Sequence, residues 1–77
     1  MEINQHTIKK ALIDGFFSDA TVHDEPTTET TIVKLAQEQD VLEFANELTA
    51  WMWYNEIVEN VSIELDHDNL EIRITSK

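Results

Sequence analysis

Apolar residues recur at steps of three and four between Asp40 and Asn55, in the stretch DVLEFANELTAWMWYN. Val41, Phe44, Ala45, Leu48, Trp51 and Met52 fall on one stripe at roughly 100° per residue, which predicts an amphipathic helix of about four turns. Asp40, with Glu43 three residues on, predicts a capping-box-like start, and both acids suit the positive end of the helix dipole. A second line of Leu42, Ala50, Trp53 and Ile57 lies on the flank away from that stripe. Tyr54 sits beside Glu43 and Glu47 on yet another side. A flank of this kind points either to packing within the chain or to an aromatic edge shown to a partner.

After Asn60 the period changes to two. Val61, Ile63 and Leu65 alternate with Ser62, Glu64 and Asp66, and Leu70, Ile72 and Ile74 alternate with Glu71, Arg73 and Thr75. This predicts an antiparallel hairpin with one apolar and one charged face, turning at His67-Asp68-Asn69. One register sets Glu64 opposite Arg73, a favourable cross-strand pair.

Upstream, a helix is predicted from His6 or Thr7 to about Phe17, with Thr7 as its cap. Ile8, Ala11, Leu12 and Phe16 share one face of it, while Ile13 and Phe17 lie toward the other, and Gly15 weakens the last turn. ATVHDE (20–25) is a strand candidate, Pro26-Thr27-Thr28 a turn, and ETTIVKLA (29–36) a strand rich in β-branched residues. The expected architecture is a single α+β domain over 1–77. Two helices pack on one face of a three- or four-stranded, largely antiparallel sheet, the count depending on residues 20–25. The expected core is Ile8, Leu12, Phe16, Ile32, Phe44, Leu48, Trp51, Ile63, Leu65, Leu70, Ile72 and Ile74.

Composition adds two constraints. The 77 residues contain no cysteine, which removes disulfides, thiolate metal sites and cysteine nucleophiles. Sixteen acids face five lysines and arginines, for a formal charge of −11. Such a surface repels nucleic acid and anionic membranes and favours cationic protein partners. No apolar run is long enough to span a bilayer, and MEINQHTIKK lacks a signal-peptide core, so a cytoplasmic location is expected.

Candidate chemistry is sparse. Asp66-His67-Asp68, near Glu64 and Glu71, could offer oxygen and imidazole ligands to a divalent cation, but neighbouring strand and turn residues point in different directions. A solvated turn is the expectation, as it is for His23 beside Asp24 and Glu25. The single glycine excludes a Gly-rich phosphate loop, and no serine sits in a nucleophile elbow. The expectation is therefore a non-enzymatic protein with no catalytic residues, cofactor or metal.

Two resemblances bear on function. The last third, Glu59-Asn60-Val61 followed by SIELDHDNLEIRITS, resembles pterin carbinolamine dehydratases in its helix-then-hairpin order and its final Arg-Ile-Thr. Those proteins carry a His-His-Pro before the hairpin, and both histidines are missing here. The resemblance implies a sheet topology and argues against dehydratase activity. Taken whole, the chain resembles the small, acidic, cysteine-free α+β inhibitors of phages and mobile elements, of the nucleic-acid-mimic, anti-CRISPR or anti-restriction type. That resemblance implies carboxylates displayed at phosphate-like spacing against a basic groove. The residues expected to face such a partner are Glu43, Glu47, Trp53, Tyr54, Glu56, Glu59, Glu64, Asp66, Asp68 and Glu71. The expected partner is a basic protein, one that itself binds nucleic acid, with no direct nucleic-acid or membrane contact. The alternatives are a degenerate dehydratase-like module and a domain that self-associates as a homodimer, through a strand edge or the Trp53 flank.

Overall fold

The computed structural model describes residues 3–56 and 60–76. Ile57 and Glu59, both singled out above, lie outside the described residues. The chain begins with a helix in three segments that run on without a break: α1 (Gln5–Ile8), a π-helical stretch (Lys9–Ile13) and one further turn, α2 (Asp14–Phe16). Strands β1 (Thr21–Glu25) and β2 (Thr30–Lys34) follow, then the long helix α3 (Glu38–Tyr54), then β3 (Val61–Asp66) and β4 (Glu71–Ser76).

The first cap is Asn4 and not Thr7. The Asn4 side-chain oxygen accepts from the amides of His6 (2.9 Å) and Thr7 (3.0 Å), while the Asn4 amide donates to the Thr7 hydroxyl (3.1 Å). This reciprocal pair satisfies donors that a helix start leaves open. The π stretch shows in the Asp14 amide, which donates to the Lys9 carbonyl five residues back. A five-residue step brings Ile13 over Ile8, where α geometry would put Leu12 alone. The apolar face is thereby rotated. Ile8, Leu12 and Ile13 are all buried, Phe17 packs on Phe44 with ring centroids 5.1 Å apart, and Phe16 is 69% exposed. The expected place of Phe16 in the core passes to Ile13 and Phe17.

Helix α3 starts two residues before the expected Asp40. Gln37 is its extended cap residue and makes no side-chain cap bond, so Glu38 and Asp40 both act as first-turn acids against the dipole. Val41, Phe44 and Leu48 are fully buried beneath it, as the stripe requires, with Ala45, Trp51 and Met52 half-buried alongside.

The four strands form one antiparallel sheet in the order β1-β2-β4-β3. ATVHDE is thus a strand. Glu64 stands opposite Arg73, and Val33 opposite Ile72. Since β4 is antiparallel to both of its neighbours, β2 and β3 run parallel, with α3 crossing over from one to the other and β4 inserted between them. Both helices cover the same face. There Val33, Leu35, Ile72 and Ile74 meet the helical core. Val33 takes the position expected of Ile32, which lies half-buried on the opposite face. Trp51, Ile63 and Leu70 are half-buried and Leu65 is exposed, and β3, which carries Ile63 and Leu65, is an edge strand with no described strand on its outer side.

A polar joint fixes the first helix to the sheet. The Asp24 carboxylate accepts from the buried Thr31 hydroxyl (2.8 Å) and from the Gln5 amide (3.0 Å), and the Asp24 amide donates to the Gln5 side-chain oxygen (3.0 Å).

Candidate partner-binding surface

The two sheet faces and the helix layer divide the acids into distinct groups. Alternation along the strands sends Glu64, Asp66 and Glu71 to the face that no described helix covers. Lys34, Arg73 and His23 share that face. Glu71 is half-buried there, within 3.9 Å of the Lys34 ammonium and 3.4 Å of the Arg73 guanidinium. This face is mixed in charge, and Glu71 is committed to its own cations. Asp68 is exposed in the turn at the end of the hairpin.

The Asp66 carboxylate is held by the same turn. The Asn69 amide side chain donates to it at 2.8 Å and the Asn69 backbone amide at 3.1 Å. These donors favour the charged form and lower its pKa below the ordinary value of 3.8. The sign follows directly. A depressed carboxylate contributes hairpin stability that is present above its unfolded pKa and is lost as pH falls through the folded one. Asn69→Ala should move the Asp66 titration, followed by carboxyl NMR shifts, up toward the ordinary value. An unmoved midpoint would show that the turn does not set it.

The helix layer is different. On α3, Asp40, Glu43 and Glu47 recur at steps of three and four along the flank that faces the first helix. Between the two runs a shallow cleft of ≈ 380 Å³, lined by Phe16, Phe17, Glu43, Asn46 and Glu47, continues past Asp19 and Asp40. Among the described residues, no lysine, arginine or histidine lines it. Phe16, pushed out by the π stretch, stands at its lip. Tyr54, 89% exposed, continues the same flank one turn beyond Ala50 and two beyond Glu47. Phe16, Asp19 and Asp40 were not among the expected partner residues. Only the π stretch reveals Phe16, and a regular helical period hides it.

The expected partner-facing set is therefore not one surface. Glu43, Glu47 and Tyr54 share the cleft flank. Trp53, 85% exposed, lies on the far flank of α3 with Leu42, which is 56% exposed. Neither is covered by packing within the described chain. Glu56 is exposed just past the helix end, and Glu64, Asp66 and Glu71 lie on the opposite side of the molecule.

No group of three histidine, aspartate or glutamate side chains is placed to hold a metal ion among the described residues. No described helix is long and apolar enough to cross a membrane. No family model, curated protein or solved structure matches the chain.

Proposed function

We propose that the chain is a small, acidic, non-enzymatic binding protein that occupies a basic site on another protein, as an inhibitor of a nucleic-acid-binding surface would. The observation that carries this reading is the flank of Asp40, Glu43 and Glu47, which no described cation lines, bordered by exposed Phe16 and Tyr54. Side chains one helical turn apart, with Cβ atoms about 5–6 Å from one another, set the carboxylates in a regular row of like charge, as phosphates are set along a nucleic-acid strand. An aromatic ring beside such a row supplies apolar contact for the stem of an arginine or lysine while the carboxylate takes its head. The helix holds the row rigid, so little ordering entropy is lost on docking.

The test compares three forms of the protein as bait in a cell lysate. Glu43→Lys with Glu47→Lys reverses two exposed charges on the cleft flank. Glu64→Lys does so on the opposite face and serves as a control. The expected result is a basic, nucleic-acid-binding protein held by the wild type and the control, held about 100-fold more weakly by the double variant. It should be released as salt rises, since screening weakens exposed charge contacts. An oligonucleotide ligand of that protein should compete with the bait. Equal capture by all three forms would sink the reading.

A further inference from the structure

We infer that the chain pairs with a second copy of itself across the outer edge of β3, with Ile63 on the two-fold axis and the Leu42–Trp53 flank of α3 against its symmetry mate. The two edges of the sheet are treated differently by the fold. At β1 the Asp24 amide, which would otherwise be a free edge donor, is taken by the Gln5 side chain at 3.0 Å. At β3 no described element lies beyond the strand, and its row of outward N–H and C=O groups is open for pairing.

Of the antiparallel registers, the one centred on Ile63 pairs each apolar residue of β3 with another, whereas an axis on Ser62 would set Leu65 beyond the mate's strand. Directly opposed residues must come from the same sheet face, so a shift of one residue would set the apolar row against the charged row. With Ile63 opposite its own copy, Val61 meets Leu65 of the mate and Ser62 meets Glu64. No carboxylate then stands directly opposite another. The two Glu64 side chains fall on a diagonal, and each has Arg73 across from it on β4 within its own chain. Shifting the axis to Glu64 would set the two glutamates face to face, which cross-strand pairing disfavours.

The helix layer fits the same symmetry. Helix α3 packs over β3 and β4. Strands are about 4.8 Å apart, so a helix centred over the outer two strands lies about 5 Å from a two-fold beyond β3. The two copies of α3 then pass, antiparallel, about 10 Å apart, which is the spacing of packed helices. The flank that would meet its mate is Leu42, Ala45, Thr49, Met52 and Trp53, with spacings of three, four and three followed by an adjacent tryptophan. It bears no carboxylate after Glu38 in the first turn. Thr49 and Ala45 are small, and the Thr49 hydroxyl donates to the Ala45 carbonyl at 2.9 Å, so no polar atom is stranded by covering them. The acids of α3 lie on the other flank, which stays free for the cleft. The same patch meets itself, as a two-fold requires, and the product is a continuous eight-stranded sheet with all helices on one face.

Sedimentation equilibrium of the whole chain tests this. A concentration-dependent rise from 8.9 kDa to twice that mass is expected. Leu42→Glu with Trp53→Glu changes two exposed side chains and should raise the dissociation constant at least about 100-fold with an unchanged far-UV spectrum. Added salt should strengthen the pair, since each copy carries −11. Because the chain has no cysteine, Ile63→Cys introduces the sole thiol. It should cross-link rapidly on oxidation or with a short bifunctional reagent. Leu65→Cys, whose mate lies about 13 Å away along the strand, should not. A mass fixed at 8.9 kDa, or a dimer that the flank variant leaves intact, would overturn the inference. Equal cross-linking at both positions would overturn the register.

Discussion

Replacing Phe44 with alanine should cost about 3–5 kcal/mol, the usual penalty for emptying a fully buried phenylalanine site. Phe44 has no exposed surface, lies between the sheet and the first helix, and stacks at a tilt on Phe17. The lost ring pair, worth about 0.5–1.5 kcal/mol, is part of that penalty. A chain of 77 residues has a total stability of roughly 4–12 kcal/mol at the usual value per residue. The substitution therefore removes a large share of it and should lower the melting temperature by about 15–30 °C. Thermal and urea denaturation followed by circular dichroism would measure both. Trp53→Ala, by contrast, should leave the monomer's stability within about 0.5 kcal/mol of wild type. If Phe44→Ala cost no more than Trp53→Ala, the packing of α3 on the sheet described above would be wrong.

The second large effect is expected at the polar joint of Asp24, Thr31 and Gln5. Asp24→Ala leaves the Thr31 hydroxyl buried without its acceptor and frees the start of α1 from β1, at a cost of about 1–3 kcal/mol. Thr31→Val keeps the shape and removes the donor. A double-mutant cycle on the pair should give a coupling of about 1–2 kcal/mol, with the double variant milder than the sum of the singles. A coupling near zero would mean that Asp24 acts through Gln5 alone.

The second hairpin was legible because its apolar and charged residues alternate without interruption. That pattern fixes the face, and the Glu64–Arg73 pairing, one of the registers it allows, is the one the sheet adopts. Helix α3 was legible for the same reason at the longer period. Pattern and structure part where two neighbouring residues are equally apolar. Ile32 and Val33 are adjacent and β-branched, and only the pairing with Ile72 decides which turns inward. Phe16 and Phe17 are adjacent too, and the five-residue hydrogen bond at Lys9–Asp14 decides between them. Asp40 looked like a cap because acids suit both a cap and a first turn. The acidic site was only partly visible. Glu43 and Glu47 share a helix flank by spacing, and alternation turns Glu64 and Glu71 to the other side of the sheet, both of which sequence shows, whereas the Lys34 ammonium that engages Glu71 comes from β2, a neighbour that only the order β1-β2-β4-β3 reveals.

That strand order also bears on how the chain is made. β4 comes after the other described elements in sequence, yet it occupies an interior place between β2 and β3. Until it has left the ribosome, the emerging chain holds a hairpin, two helices and an unjoined strand, with Val33, Phe44 and Leu48 lacking Ile72 and Ile74 beneath them. The core closes fully only with β4 in place, since Ile72 and Ile74 are among its most buried residues and pair across both neighbours. The vulnerable interval is therefore the one before β4 docks, when the apolar surface that Ile72 and Ile74 cover is open to chaperones and proteases.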